Sequence, residues 1–238
     1  MSEPILKLEN IEVKYGDFIA VERVSLEVKD GSMTGLIGTN GSGKTSLMNA
    51  VAGLTKPTSG KIYLSGQDVT GMSPEKLVER GLSLVPQGGH CFNRMTVQDN
   101  LLVGSYGRKA RFERKDNLKM VYDLFPMLWD KKDLLAGSLS GGQRQMVAIG
   151  RALMSEPKLL LFDELSLGLA PLIVKDIYQT ISRINKEQGC SILLIEQDTK
   201  RVLNMTDYAY IMLKGNLALD GPSDKMDQES VKKAYFGI

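Results

Sequence analysis

One histidine, two cysteines and one tryptophan are all that the 238 residues contain of those types. Cys91 and Cys190 stand in no metal-ligand spacing, and His90 has no clustered partners. A histidine–cysteine metal centre and a disulfide framework are therefore both excluded as organising principles, and the cysteine usage fits a reduced cytosolic setting. No apolar run approaches the roughly 20 residues of a membrane-spanning helix, and the first residues lack the pattern of a secretion signal. Lys and Arg number 30 against 28 Asp and Glu, a net charge of +2. That balance is too even to argue for nucleic acid as a partner. A hydrophobic content of 42% rules out a disordered chain, and the length suits one large α/β unit or a core with a subdomain. There is no internal repeat and no low-complexity segment.

The chain is organised around Gly38-Thr39-Asn40-Gly41-Ser42-Gly43-Lys44-Thr45, which follows the apolar run Met33 to Ile37 and opens a helix-like stretch from Ser46 to Ala52. Strand, glycine loop and helix form the context in which G-x-x-x-x-G-K-[ST] binds phosphate. Successive backbone N–H groups at a helix start make an anion nest, and glycines let the backbone close on phosphate oxygens. In this pattern Lys44 reaches the β- and γ-phosphates and the Thr45 hydroxyl ligates Mg²⁺. The other reading is a plain glycine turn between strand and helix.

Alternating apolar and polar residues from Ile5 to Val13 and from Val24 to Val28 predict an N-terminal antiparallel β-subdomain. Between them lies Lys14-Tyr15-Gly16-Asp17, whose Tyr15 either stacks on a base or packs on its strand neighbours. Ser73 and Pro74 start a helix, and the strand Leu82 to Val85 ends at Pro86-Gln87, where open parallel sheets place their ligands. From Gly88 to about Pro157 helical patterns replace buried strands, including a helix capped by Thr96 and another from Arg111 to Phe125. This segment reads as a helical subdomain, residues 88–157, inserted into a core of residues 1–87 and 158–238 within a single domain, 1–238. Its last helix begins at Leu139-Ser140-Gly141-Gly142-Gln143, with Ser140 as cap and Met146, Ile149 and Leu153 as the apolar stripe.

The core resumes with Leu159 to Phe162, a continuous apolar run of the kind buried in parallel sheets, ending in Asp163-Glu164. Two carboxylates at the mouth of a buried strand, downstream of a phosphate loop, suit a Mg²⁺ ligand and a base for attacking water. Pro171 opens a helix, and Ile192 to Ile195 is a further buried strand ending in Glu196-Gln197-Asp198. Tyr208 to Leu213 and Leu217 to Leu219 predict a hairpin, and Glu229 to Tyr235 a terminal helix.

Over essentially its full length the chain resembles an ATP-binding cassette (ABC) ATPase, with the family's motifs in order. Tyr15 matches the adenine-stacking aromatic, Gly38 to Thr45 with Ser46 the Walker A region, Gln87 the Q-loop, Leu139 to Gln143 the LSGGQ signature, and Asp163-Glu164 the end of Walker B. The resemblance implies a P-loop NTPase (RecA-like) parallel-sheet core and ATP with Mg²⁺ as ligands. It also implies Thr45, Gln87 and Asp163 around the metal, and Glu164, Gln197, Lys44 and Gln87 as catalytic residues. Ser140, Gly141, Gly142 and Gln143 would meet the nucleotide held by a second ATPase subunit, heterodimer expected and homodimer as the alternative.

The segments Leu139–Met154, Ser166–Pro171 and Glu196-Gln197 are similar to the shorter ATPase subunit of branched-chain amino-acid uptake systems. That similarity implies integral-membrane permease partners and a place on the cytoplasmic face of the cell membrane. Urea or lipid systems, or a soluble non-transport ABC protein, are the alternatives. Leu165 replaces the family's usual proline, Ala170 its D-loop aspartate and Gln197 its switch histidine.

Overall fold

The computed structural model describes residues 3–236. Strands β1 (Pro4–Tyr15) and β2 (Phe18–Lys29) form a long antiparallel hairpin, followed by β3 (Met33–Gly38) and helix α1 (Lys44–Val51). Next come β4 (Ser59–Leu64), the short β5 (Gln67–Asp68), α2 (Pro74–Glu79) and β6 (Leu82–Val85). A helical stretch follows with α3 (Val97–Val103), α4 (Arg108–Phe112), α5 (Arg114–Leu124), α6 (Pro126–Asp130) and α7 (Gly141–Leu153). The chain then runs through β7 (Leu159–Asp163), α8 (Pro171–Gln188), β8 (Ser191–Glu196), α9 (Thr199–Met205), β9 (Tyr208–Leu213), β10 (Asn216–Pro222) and α10 (Gln228–Phe236).

Two sheets result. One is antiparallel in the order β2-β1-β4-β5; the other has the order β10-β9-β3-β8-β7-β6. In the second sheet β9, β3, β8, β7 and β6 pair in parallel, and only β10 is antiparallel. Every residue of β3, β7 and β8 is buried, as expected of strands covered on both faces. Their side chains divide by the two-residue period of a strand. Leu160, Phe162, Ile192 and Leu194 join a core with α3, α5, α7 and α8, whereas Leu159, Leu161, Leu193 and Ile195 join a core with β1, β2 and α1. A one-residue slip of β7 would exchange its members of the two sets, so packing specifies the register.

Three boundaries differ from the sequence expectation. Helix α1 begins at Lys44, two residues early, so Lys44 and Thr45 stand in its first turn. The β1 strand runs through Tyr15 and leaves only Gly16 and Asp17 in the turn. The helix expected from Arg111 to Phe125 is broken at Glu113, and Phe125, which precedes Pro126, leaves helical geometry with φ −131° and ψ 72°. Among the described residues no helix is long and apolar enough to cross a membrane.

Candidate active site

Between β3 and α1 the chain turns through residues 39–43, and Gly43 occupies the helix N-cap with φ 102°. A β-carbon there would run into the carbonyl oxygen of Ala20, so only glycine serves, both for its backbone angle and for the close approach. No side chain caps α1, which leaves its first N–H groups directed at whatever anion lies before them. Ser42 Oγ is buried without a partner among the described residues, and a phosphate oxygen in the loop would supply one. Lys44 is only 4% exposed. Its Nζ donates to the carbonyls of Gly38 (2.9 Å) and Thr39 (3.0 Å) and lies 3.5 Å from Glu164 Oε1.

Sheet order explains what gathers around this loop. Strand β8 lies between β3 and β7, with Glu196 opposite Ile37 on one side and Ile195 opposite Asp163 on the other. Gln197 therefore emerges between the phosphate loop and the acid pair. Strand β6 flanks β7 on its other side and delivers Gln87. The result is a cluster on one carboxylate: Glu164 Oε2 accepts from Gln197 Nε2 at 2.9 Å and from Gln87 Nε2 at 3.4 Å. Gln197 Nε2 also donates to Asn40 Oδ1 at 2.8 Å, so one amide joins the phosphate loop to the acid.

Glu164 is buried and left-handed, with φ 45°, a conformation that costs free energy and persists only where the surroundings hold it. Its N–H donates to the carbonyl of Ile195 at 3.1 Å. Leu165, standing where a proline was the reference, is buried at 2% exposure and leaves Glu164 aimed at Lys44, Gln87 and Gln197. Burial, then the neighbouring Glu164 charge, push the Asp163 carboxyl above the usual aspartate range, against the Thr45 hydrogen bond and Lys44. The Thr45 hydroxyl donates to Asp163 Oδ1 at 3.4 Å. Among the described residues no group of three or more His, Cys, Asp or Glu could hold a metal alone. The hydroxyl and carboxylate oxygens of Thr45 and Asp163 are nonetheless the hard donors Mg²⁺ takes alongside water and phosphate.

The remaining predicted residues lie elsewhere. Tyr15 ends β1 and is 47% exposed beside Phe18. The same hairpin supplies the Ala20 carbonyl that abuts Gly43. Ser140 caps α7 through a capping box: its Oγ accepts from the Gln143 N–H (3.4 Å), and its own N–H donates to Gln143 Oε1 (3.1 Å). Their described side-chain bonds stay within this helix start and do not reach the phosphate loop of the same chain. Gly141 is exposed, while a β-carbon on Gly142 would run into Ile173, a packing reason for that glycine that the motif does not reveal. Sequence reasoning passed over Glu196, Ser166, Tyr178 and the side chain of Asn40. The signal was available for Glu196: like Asp163-Glu164, it is a carboxylate at the end of a buried strand.

These elements define a P-loop NTPase with a helical stretch between its Q-loop and Walker B positions. The chain belongs to the ABC transporter family: residues 21–166 match the family described as ABC transporter, and it is an ATP-binding cassette ATPase. It is 37% identical to the high-affinity branched-chain amino acid transport ATP-binding protein BraG of Pseudomonas aeruginosa, over 98% of this chain and 100% of that one. It is 34% identical to the lipopolysaccharide export system ATP-binding protein LptB of Haemophilus influenzae, over 98% and 97% respectively. Its structure matches a nucleotide-free ATP-binding cassette from an ABC transporter with TM-score 0.84 and 32% identity, covering 98% of this chain and 95% of that one. It also matches a dimeric cassette in a post-hydrolysis state bound to ADP and Pi, with TM-score 0.75 and 26% identity over 92% and 98%.

Proposed function

We propose that this ATPase powers import of branched-chain amino acids, working as one of two paired cassettes beneath membrane-embedded permease subunits. The observation that carries the enzymatic part is the single carboxylate, Glu164, held against Lys44, Gln87 and Gln197. Lys44 has three acceptors in the free chain, all weaker in charge than a nucleotide phosphate, so ATP would draw its ammonium to the β- and γ-phosphates. Glu164 would then accept a proton from the attacking water while Gln197 holds its direction. Mg²⁺, held by Thr45 and Asp163, would neutralise charge developing on the phosphates. Tyr15 offers an exposed ring to the base, and residues 38–46 surround the phosphates.

Among the described residues Ser140, Gly141, Gly142 and Gln143 make no bond to the phosphate loop of their own chain, which supports a role toward the nucleotide of a second cassette. The relative with a dimeric structure supports the same reading, a heterodimer being the form expected. We assign residues 88–157 as the inserted subdomain that meets the permeases, with the exposed Phe92, Val103, Tyr106 and Phe112 supplying apolar contact. Docking there would hold the chain at the cytoplasmic face of the cell membrane. The 37% identity to a branched-chain amino acid transport ATP-binding protein over 98% of this chain supports the solute assignment.

Two measurements test the proposal. Glu164→Gln should bind ATP with near wild-type affinity, accumulate as a dimer on sizing, and hydrolyse at least about a hundredfold more slowly, because the amide cannot take the proton. Near wild-type turnover would remove Glu164 from the base role. Purification with the permeases of its own system, followed by leucine uptake in vesicles, reads the solute; transport of urea or lipid instead would replace the amino-acid assignment.

A further inference from the structure

We propose that Glu196 is a positioning residue for hydrolysis: its carboxylate fastens the turn that carries Glu164 to the end of β8, from which Gln197 projects. The inference rests on the reading of Glu164 as the base. Glu196 is 2% exposed, and each of its oxygens accepts two hydrogen bonds. Oε1 takes the Ser166 N–H at 3.1 Å and the Tyr178 hydroxyl. Oε2 takes the Ser166 hydroxyl at 3.0 Å and the Gln197 N–H at 3.3 Å. All four donors are neutral groups, so among the described residues the buried carboxylate is held by hydrogen bonds.

The placement of these donors gives the carboxylate its role. Glu164 sits in a left-handed conformation between two attachments to the same strand end: its own N–H on the Ile195 carbonyl, and Ser166, two residues on, on the Glu196 carboxylate. Without the second attachment the turn is anchored on one side only, and a left-handed glutamate would relax toward an ordinary conformation. The Gln197 N–H on the same carboxylate sets the backbone from which Nε2 reaches Glu164 at 2.9 Å and Asn40 at 2.8 Å. Tyr178, from α8, closes the back of the clamp, its ring covered by the Arg201 guanidinium 5.2 Å from the centroid. Base and latch thus share one buried anchor.

Glu196→Gln keeps the shape but turns one acceptor into an NH₂ group; the hydroxyl beside it can turn to accept, but whichever way the amide lies the backbone N–H of Ser166 or of Gln197 loses its acceptor. In steady-state ATPase assays with the native partner, kcat should fall at least about tenfold, the scale of one lost bond to a charged group, while KM for ATP stays within about twofold. Added to Gln197→Ala, the same change should cost less than it does alone, since both act on Glu164. Turnover within twofold of wild type, or a loss confined to KM, would overturn the proposal. Should Glu196→Gln fail to fold, Ser166→Ala combined with Tyr178→Phe leaves the carboxylate only its two backbone donors. A threefold or larger fall in kcat at unchanged KM then supports the clamp, and unchanged kcat overturns it. Glu164→Gln, assayed alongside, separates the two ideas. If that variant keeps turnover the base reading falls, whereas full activity in Glu196→Gln beside an inactive Glu164→Gln rejects the clamp alone.

Discussion

Replacing Lys44 by alanine should injure the protein twice, and the first injury needs no nucleotide. In the free chain the Lys44 ammonium, 4% exposed, serves the carbonyls of Gly38 and Thr39 and the Glu164 carboxylate. Removing it leaves a buried carboxylate without its cation, beside an Asp163 whose own ionisation is already resisted by burial and by Glu164. Breaking a buried pair from one side costs about 3–5 kcal/mol. For a chain of this size each kcal/mol moves Tm by about 2–4 °C, so the variant should melt about 6–20 °C below wild type in nucleotide-free buffer. Adding Glu164→Gln removes the stranded charge and should recover at least half of that loss. The second injury is to ATP: losing charge-assisted bonds to two phosphates, each worth about 1.5–3 kcal/mol, weakens Kd by at least about a hundredfold. Differential scanning calorimetry reads the first effect and titration calorimetry the second. A Lys44→Ala melt within about 2 °C of wild type would refute the ion-pair reasoning, and unchanged ATP affinity would refute the loop assignment.

Two further outcomes follow from the same geometry. Gln197→Ala should lose at least about tenfold in kcat, one bond to a charged group, whereas Gln197→His keeps one ring N–H for Glu164 and should preserve much of the activity; ATPase assays of the assembled dimer decide, and full activity in the alanine variant would make Gln197 only a strand-end residue. Asp163→Asn should melt higher than wild type without nucleotide at neutral pH. A folded-state carboxyl raised above its ordinary value of 3.8 favours folding while protonated, and that advantage is lost as pH climbs through the raised value. The gap between the two proteins should therefore close at acid pH below the ordinary value and open as pH rises, and a gap independent of pH would contradict the burial argument.

Much of this architecture could be read from local pattern. The alternation in β1 and β2, the apolar runs of β7 and β8, and the side-chain caps Thr96 and Ser140 each depend on neighbours a few residues away. The end of the expected helix at Phe125 was legible too, since Pro126 follows it, but the break at Glu113 was not. The site was legible as a set of positions and illegible as a set of contacts. Lys44, Gln87, Asp163 and Glu164 could be singled out by their places at strand ends and in the phosphate loop, and Gln197 by the family resemblance. That Asn40 shares an amide with Glu164, or that Gly142 exists partly to admit Ile173, could not.

The sequence by itself determined the phosphate loop, the helix that opens from it, the acid pair at the end of a buried strand and the capped start of α7, because each is a short-range consequence of residue type and spacing. Only the tertiary structure decided which carboxylate lies against Lys44, which amide latches it, and which second carboxylate holds the turn in place. Those bonds span from 30 residues, between Ser166 and Glu196, to 157, between Asn40 and Gln197. They exist because β8 is inserted between β3 and β7 in a fixed register, and that register is chosen by side chains packing on both faces of the sheet, far from the residues it brings together.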